Sequence, residues 1–157
     1  MTTVWSFPTR ILFGAGTVSE AGAEAKRLGS KTALIVTDPG VEDAGIAAEV
    51  SRALEKGGIV TEMTTGVSTN PTEAEVHAAA EAYREAKADL VVGVGGGAPL
   101  DVAKLIRLAT THSLPLAEYD DAIGGDAKIT QPMPPMIAVP TTAGTGSEVG
   151  RRGVVTI

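Results

Sequence analysis

A chain of 157 residues with 43% hydrophobic residues, no long apolar run and no low-complexity tract has the length and composition of one ordinary globular domain. Its net charge of −6 and pI near 4.9 leave no basic patch or stripe, which excludes nucleic acid and an anionic membrane surface as expected partners. The absence of cysteine excludes disulfides and thiolate chemistry, and Met1 to Pro8 lack the basic and apolar regions of a secretory signal, so the expected compartment is the cytoplasm.

In chain order, hydrophobic periodicity predicts a strand at 10–13, a helix at 18–28, a strand at 31–37 and a helix at 42–56. A strand at 59–64, a helix at 73–87, a strand at 90–94 and a helix at 99–110 follow, and two last strands are expected at 136–139 and 153–157. Thr17 to Glu20 and Thr72 to Glu75 both have the T-x-x-E form of a capping box, while Gly29 and Gly57 stand where helix-ending glycines belong. The stretch 113–135, with Pro115, Gly124-Gly125 and a proline cluster ending at Pro135, reads as a surface excursion within one domain. Strands alternating with helices mean βαβ units. The expected fold is therefore α/β, a Rossmann-like doubly wound parallel sheet with helices on both faces, a single domain over 1–157 that binds ligands outside the carboxyl ends of its strands.

Chemistry concentrates in two segments. The apolar run Leu90 to Val94 passes through Gly95, Gly96 and Gly97 into a helix with Pro99 in its first turn. Without a Cβ, backbone N–H groups there can approach an anion, and the helix dipole points at the same place, as a dinucleotide pyrophosphate requires. The same glycines also suit a tight turn that only packs strand on helix, and the G-x-G-x-x-A match of Gly93 to Ala98 is weak alone. Met136 to Val139 runs into Thr141-Thr-Ala-Gly-Thr-Gly-Ser-Glu148, whose hydroxyls suit polar recognition of a cofactor and suit equally a loop that satisfies its own backbone. Asp38, at the end of a strand, could accept hydrogen bonds from a ribose, and Asp38-Pro39-Gly40 is also a good turn. Asp101 suits the helix dipole, and Lys104 suits a solvated surface.

Together, GGGAPLDVAK at Gly95 to Lys104 and PTTAGTGSEV at Pro140 to Val149 resemble the iron-containing (group III) alcohol dehydrogenase family. FGAG at Phe13 to Gly16, VTD at Val36 to Asp38 and NPT at Asn70 to Thr72 follow the family's order and spacing. The resemblance runs over nearly the whole chain and corresponds to the amino-terminal, nucleotide-binding half of longer enzymes. It implies NAD as cofactor, with Asp38 at the adenine ribose disfavouring a 2′-phosphate, and Gly95, Gly96, Gly97 and Ala98 at the pyrophosphate. It places Asp101 toward the nicotinamide and Asn70, Thr141, Thr142 and Thr145 beside the cofactor.

Two positions depart from the family pattern. Ala98 replaces the usual serine, and Gly150 replaces a common threonine, so each costs a cofactor contact. Family members hold Fe2+ (or Zn2+) with an aspartate and three histidines, all of them beyond Ile157. His77 and His112 lack partners at ligand spacing and read as surface histidines, so no metal-binding or catalytic residue is expected within the chain.

The resemblance implies an NAD-dependent alcohol or aldehyde oxidoreductase acting by hydride transfer, with a small-molecule substrate and a homo-oligomeric assembly. Glycerol dehydrogenase and maleylacetate reductase share the general build, and a free-standing dinucleotide-binding module is the non-catalytic alternative. Because the apolar run 153–157 stops without a turn or polar tail, the expectation is an inactive fragment whose last strand leaves a self-associating edge.

Overall fold

Four short strands, β1 (Thr32–Val36), β2 (Val60–Thr64), β3 (Leu90–Gly95) and β4 (Met136–Pro140), lie parallel in the order β2-β1-β3-β4. These come from a computed structural model that describes residues 9–113 and 115–157; Met1 to Pro8, read above for a secretory signal, lie outside the described residues. From β1 the chain moves outward to β2 and then returns to the other side of β1 to form β3. The winding therefore reverses between β1 and β3, and in a doubly wound sheet the crevice for a ligand opens at that point.

Among the described residues, five α-helices cover the two faces: α1 (Ala21–Arg27), α2 (Pro39–Asp43), α3 (Ile46–Lys56), α4 (Glu73–Glu85) and α5 (Gly97–Ala109). Side chains of a strand point alternately to opposite faces, and β1 uses both. Ala33 and Ile35 join Leu90, Val92 and Val94 of β3 against Ala25, Val50 and Leu54 on the α1 and α3 side. Leu34 and Val36 join Val91 against Val76, Val102 and Ile106 on the α4 and α5 side. β1 and β3 are thus buried on both faces, as the unbroken apolar runs require.

Several expected elements differ. Residues 10–13 form no strand, because no neighbouring strand among the described residues offers them a ladder; Arg10 instead reaches Glu24 at 3.1 Å, and Phe13 is fully exposed. The first helix starts as a 3-10 turn over Thr17–Glu20, and its capping box does not form: the Thr17 hydroxyl donates to the Gly14 carbonyl at 3.0 Å, and left-handed Gly16 precedes the turn. The box at Thr72 does form. The helix expected at 42–56 is two helices, because Asp38 caps an earlier start at Pro39 and left-handed Gly45, at φ 75°, breaks the run. At the end of α3 the left-handed residue is Gly58, not Gly57.

The carboxy-terminal segment 153–157 is not a sheet strand. It lies beside the start of α4, where Thr156 donates to the Pro71 carbonyl at 2.8 Å and accepts from the Glu73 N–H at 2.9 Å, forming one isolated bridge with Thr72. The outer apolar strand is β4, with Met136, Ile137, Ala138 and Val139 all half-buried.

His112 is a clasp rather than a free surface histidine. Its Nε2 accepts from the Thr130 and Gln131 N–H groups, both at 3.0 Å, so the ring proton belongs on Nδ1, which lies 2.8 Å from the Thr111 hydroxyl. Tyr119 stands edge-on to the ring at 5.7 Å. The excursion that this clasp gathers contains 3-10 turns at Leu116–Tyr119, Asp121–Ile123 and Gly125–Lys128.

Candidate functional site

Four chain segments leave the carboxyl ends of neighbouring strands and enclose a cleft of about 900 Å3. After β1 come Asp38 to Val41, after β2 Gly66 to Thr69, after β3 Gly96 to Pro99, and after β4 Thr141 and Thr142. The reversal of winding between β1 and β3 puts the Asp38 and Gly96 segments side by side.

Asp38 serves two ends at once. Its Oδ1 accepts from the Val41 N–H at 2.9 Å and caps α2, with Pro39 in the first turn. Its Oδ2 faces the glycine loop, 3.3 Å from where a Cβ on Gly95 would stand. Gly95 is a glycine that the backbone demands: it sits at φ 150°, and a Cβ there would lie 2.6 Å from the Pro99 ring.

Gly96 and Gly97 differ. A Cβ on Gly97 would meet the Ser147 hydroxyl at 3.4 Å, an ordinary contact, and one on Gly96 would meet the movable Thr142 side chain at 3.3 Å. Neither residue has a positive φ. α5 begins at these residues, and no side chain caps its first turn, as is also true of α1 and α3, whereas α2 and α4 are capped by Asp38 and Thr72. The floor of the cleft is therefore bare backbone at a helix start, with its N–H groups and dipole directed outward, an arrangement suited to an anion.

The other expected residues divide. Ala98, Thr141 and Thr142 line the cleft, and the Thr141 N–H extends the β3–β4 ladder by donating to the Gly95 carbonyl at 2.9 Å. Thr145 does not line it; its Cβ lies 3.6 Å from a Cβ position on Gly97, and its hydroxyl accepts from the Ser147 N–H at 3.3 Å. Asn70 is exposed at the end of the Gly66 to Thr69 loop, with its carbonyl accepting from the Ser68 hydroxyl at 3.1 Å. Asp101 is buried away from the cleft lining, 3.0 Å from Lys104 Nζ through Oδ1 and accepting from the Val154 N–H at 3.2 Å through Oδ2. Lys104 also donates to the Arg152 carbonyl at 2.6 Å, so it is anchored rather than solvated.

Sequence reasoning missed the wall formed by Gly66 to Thr69. Its signal was position: a glycine, serine and threonine loop between the end of β2 and the capped start of α4, on the edge where the other loops gather. Among the described residues, no group of three or more His, Asp or Glu side chains is placed to hold a metal ion, and no helix is long and apolar enough to cross a membrane.

The sequence profile described as iron-containing alcohol dehydrogenase matches residues 8–157. The 4-hydroxybutyrate dehydrogenase of Cupriavidus necator is 44% identical over 147 residues, which are 94% of this chain and 38% of that protein. The 1,3-propanediol dehydrogenase of Citrobacter freundii is 39% identical over 152 residues, 95% of this chain and 38% of the relative. Among solved structures, the sulfoacetaldehyde reductase of Bifidobacterium kashiwanohense in complex with NAD+ superposes with a TM-score of 0.79 at 34% identity, covering 95% of this chain and 38% of that one. The chain thus spans less than two fifths of the length of these relatives.

Proposed function

The chain belongs to the iron-containing alcohol dehydrogenase family, and from that premise we propose that residues 1–157 are the NAD(H)-binding domain of an alcohol or aldehyde oxidoreductase. The observation that carries the reading is the cleft floor: Gly96 and Gly97 are demanded neither by backbone conformation nor by a clash with backbone, and their missing side chains leave room where an uncapped helix start faces a 900 Å3 cleft. In this reading Gly95, Gly96, Gly97 and Ala98 cradle the pyrophosphate, and Thr141 and Thr142 border it. Asp38 takes the ribose with the oxygen left over from capping α2, and Asn70 and Thr145 brace the walls. The bonds of Asp101 to Lys104 and Val154 favour an anchoring role for it over direct contact.

Bound there, NAD(H) supplies the hydride exchanged with an alcohol or aldehyde carbon. Fe2+ or Zn2+ belongs to the longer protein in this reading, since the described residues offer it no ligand set. The 157 residues therefore bind cofactor but turn over no alcohol, and the complete protein works in the cytoplasm as a homo-oligomer.

Calorimetric titration with NADH and NADPH tests the reading. The expected result is NADH binding at least tenfold tighter, with the preference abolished in Asp38→Gly, a substitution that costs the α2 cap only a few tenths of a kcal/mol. Equal affinities in the unmutated chain contradict the role of Asp38, and no binding of either cofactor contradicts the assignment of the cleft.

A further inference from the structure

The wall of the cleft formed by Gly66 to Thr69 is loop, pinned inward by the buried Val67 side chain and held at Ser68 by one carboxylate outside the cleft. Glu75, in the first turn of α4, accepts from the Ser68 N–H at 2.8 Å through Oε1. Through Oε2 it accepts from the Thr72 N–H at 2.5 Å and from the Thr72 hydroxyl at 2.9 Å. The Ser68 hydroxyl in turn donates to the Asn70 carbonyl at 3.1 Å, so the five residues from Ser68 to Thr72 are closed on themselves by bonds of two side chains, Glu75 and Ser68. We propose that Glu75 is a positioning residue for the cofactor: it fixes the Ser68 and Thr69 wall of the cleft from behind, without touching the ligand, and so sets how tightly NAD(H) is held.

The chemistry is specific to a carboxylate. All three partners are donors, and a carboxylate alone offers acceptors on both oxygens. A glutamine of the same shape keeps one acceptor and turns an NH2 toward either Ser68 or Thr72, donor against donor. Burial pushes the Glu75 carboxyl up, but the donated bonds from Thr72 and Ser68 outweigh this and hold it below the ordinary carboxylate range, as expected of a group whose charged form is the one hydrogen-bonded.

Glu75 also completes the capping box of α4, so loss of helix stability must be separated from loss of wall position. Thr72→Ala removes the hydroxyl that caps the helix and leaves the Glu75 bonds to the Ser68 and Thr72 N–H groups. Glu75→Gln keeps the Thr72 cap on the helix and, because glutamine also serves the capping box with its oxygen on the Thr72 N–H, turns its NH2 to Ser68 and breaks the hold on the loop. The experiment compares unmutated protein, Glu75→Gln and Thr72→Ala by NADH titration, thermal unfolding and amide exchange.

The inference rests on the cofactor reading above. It expects Glu75→Gln to raise the NADH dissociation constant at least fivefold and to speed exchange at Ser68 at least tenfold. Thr72→Ala should lower the unfolding temperature while changing NADH affinity less than twofold. Affinity that follows unfolding temperature across both variants overturns it, as does a loosened Ser68 with unchanged affinity, or unchanged exchange in Glu75→Gln. Failure of the unmutated protein to bind NADH overturns the cofactor reading itself and the inference with it, whereas binding that Glu75→Gln leaves intact overturns the inference alone.

Discussion

Two pairs of glycines lie on the α1 and α5 sides of the molecule, and they are small for opposite reasons. At Gly22 in α1 and Gly57 after α3, the chains cross so closely that a Cβ on Gly57 would stand 2.5 Å from the Gly22 Cα, and one on Gly22 would stand 2.7 Å from the Ala53 carbonyl. The protein fills that space itself, with backbone. At Gly96 and Gly97 the nearest atoms are side-chain atoms of Thr142, Thr145 and Ser147 at 3.3 to 3.7 Å, and both glycines line the cleft. A glycine whose place is taken by its own chain speaks of packing. A glycine whose place opens onto a cleft at a helix start speaks of a ligand.

The same methyl group added at each place should therefore do different things. Gly57→Ala drives a Cβ into backbone that no rotamer change can relieve, and it should cost about 3 kcal/mol of stability, at the upper end for overpacking, while the folded protein keeps its NADH affinity. Denaturant unfolding beside an NADH titration checks both halves; a stable Gly57→Ala protein would show that α1 and α3 separate easily. Gly97→Ala comes next. It should leave stability within about 1 kcal/mol of the parent, tending upward because alanine favours a helix, while weakening NADH binding roughly tenfold, or about 1.4 kcal/mol. A large stability loss with unchanged affinity would place Gly97 in the packing class with Gly57.

The clasp at His112 sharpens the contrast from a third side, since the protein supplies acceptor and donors alike. His112→Ala leaves the Thr130 and Gln131 N–H groups to water, both on exposed residues, so the cost should be only about 1 kcal/mol and should appear as faster amide exchange at those two positions. NADH affinity should not change, because His112 lies outside the cleft lining.

The smallest effect is acidic. The native pKa of Glu75 is depressed, so its contribution to stability is fully present above its unfolded value and is lost as pH falls through the native one. The stability gap between the unmutated protein and Glu75→Gln should accordingly close on acidification; a gap that widens in acid would mean that the carboxyl is bound in its neutral form.

Much of this is legible in the sequence. The doubly wound sheet followed from β1 and β3, whose apolar runs leave no face for water, and the Gly95 to Ala98 loop followed from a strand running through glycines into a helix. What sequence could not supply was competition between partners. Thr17 has the same T-x-x-E spacing as Thr72, yet its hydroxyl turns back to the Gly14 carbonyl because left-handed Gly16 bends the chain there. The run 153–157 has strand-forming residues, but a ladder needs a free neighbour, and Thr156 finds Pro71 and Glu73 instead of the sheet. Asp101 and Lys104 looked local, and their bonds to Arg152 and Val154 span about fifty positions that no window along the chain contains. The wall at Gly66 to Thr69 escaped for a related reason: its residues carry no charge or unusual type, and they belong to the cleft only because β2 lies beside β1.

The central claim is that a dinucleotide occupies the cleft between Asp38 and the floor at Gly96 and Gly97. Titration of NADH into isotope-labelled protein, followed by backbone amide resonances, tests it most directly. The account predicts saturable shifts concentrated at Val41, Gly66 to Thr69, Gly96 to Ala98 and Thr141 to Thr142, with Gly22 and Gly57 unmoved. Saturation that moves other amides and leaves Gly96 and Gly97 in place would contradict it.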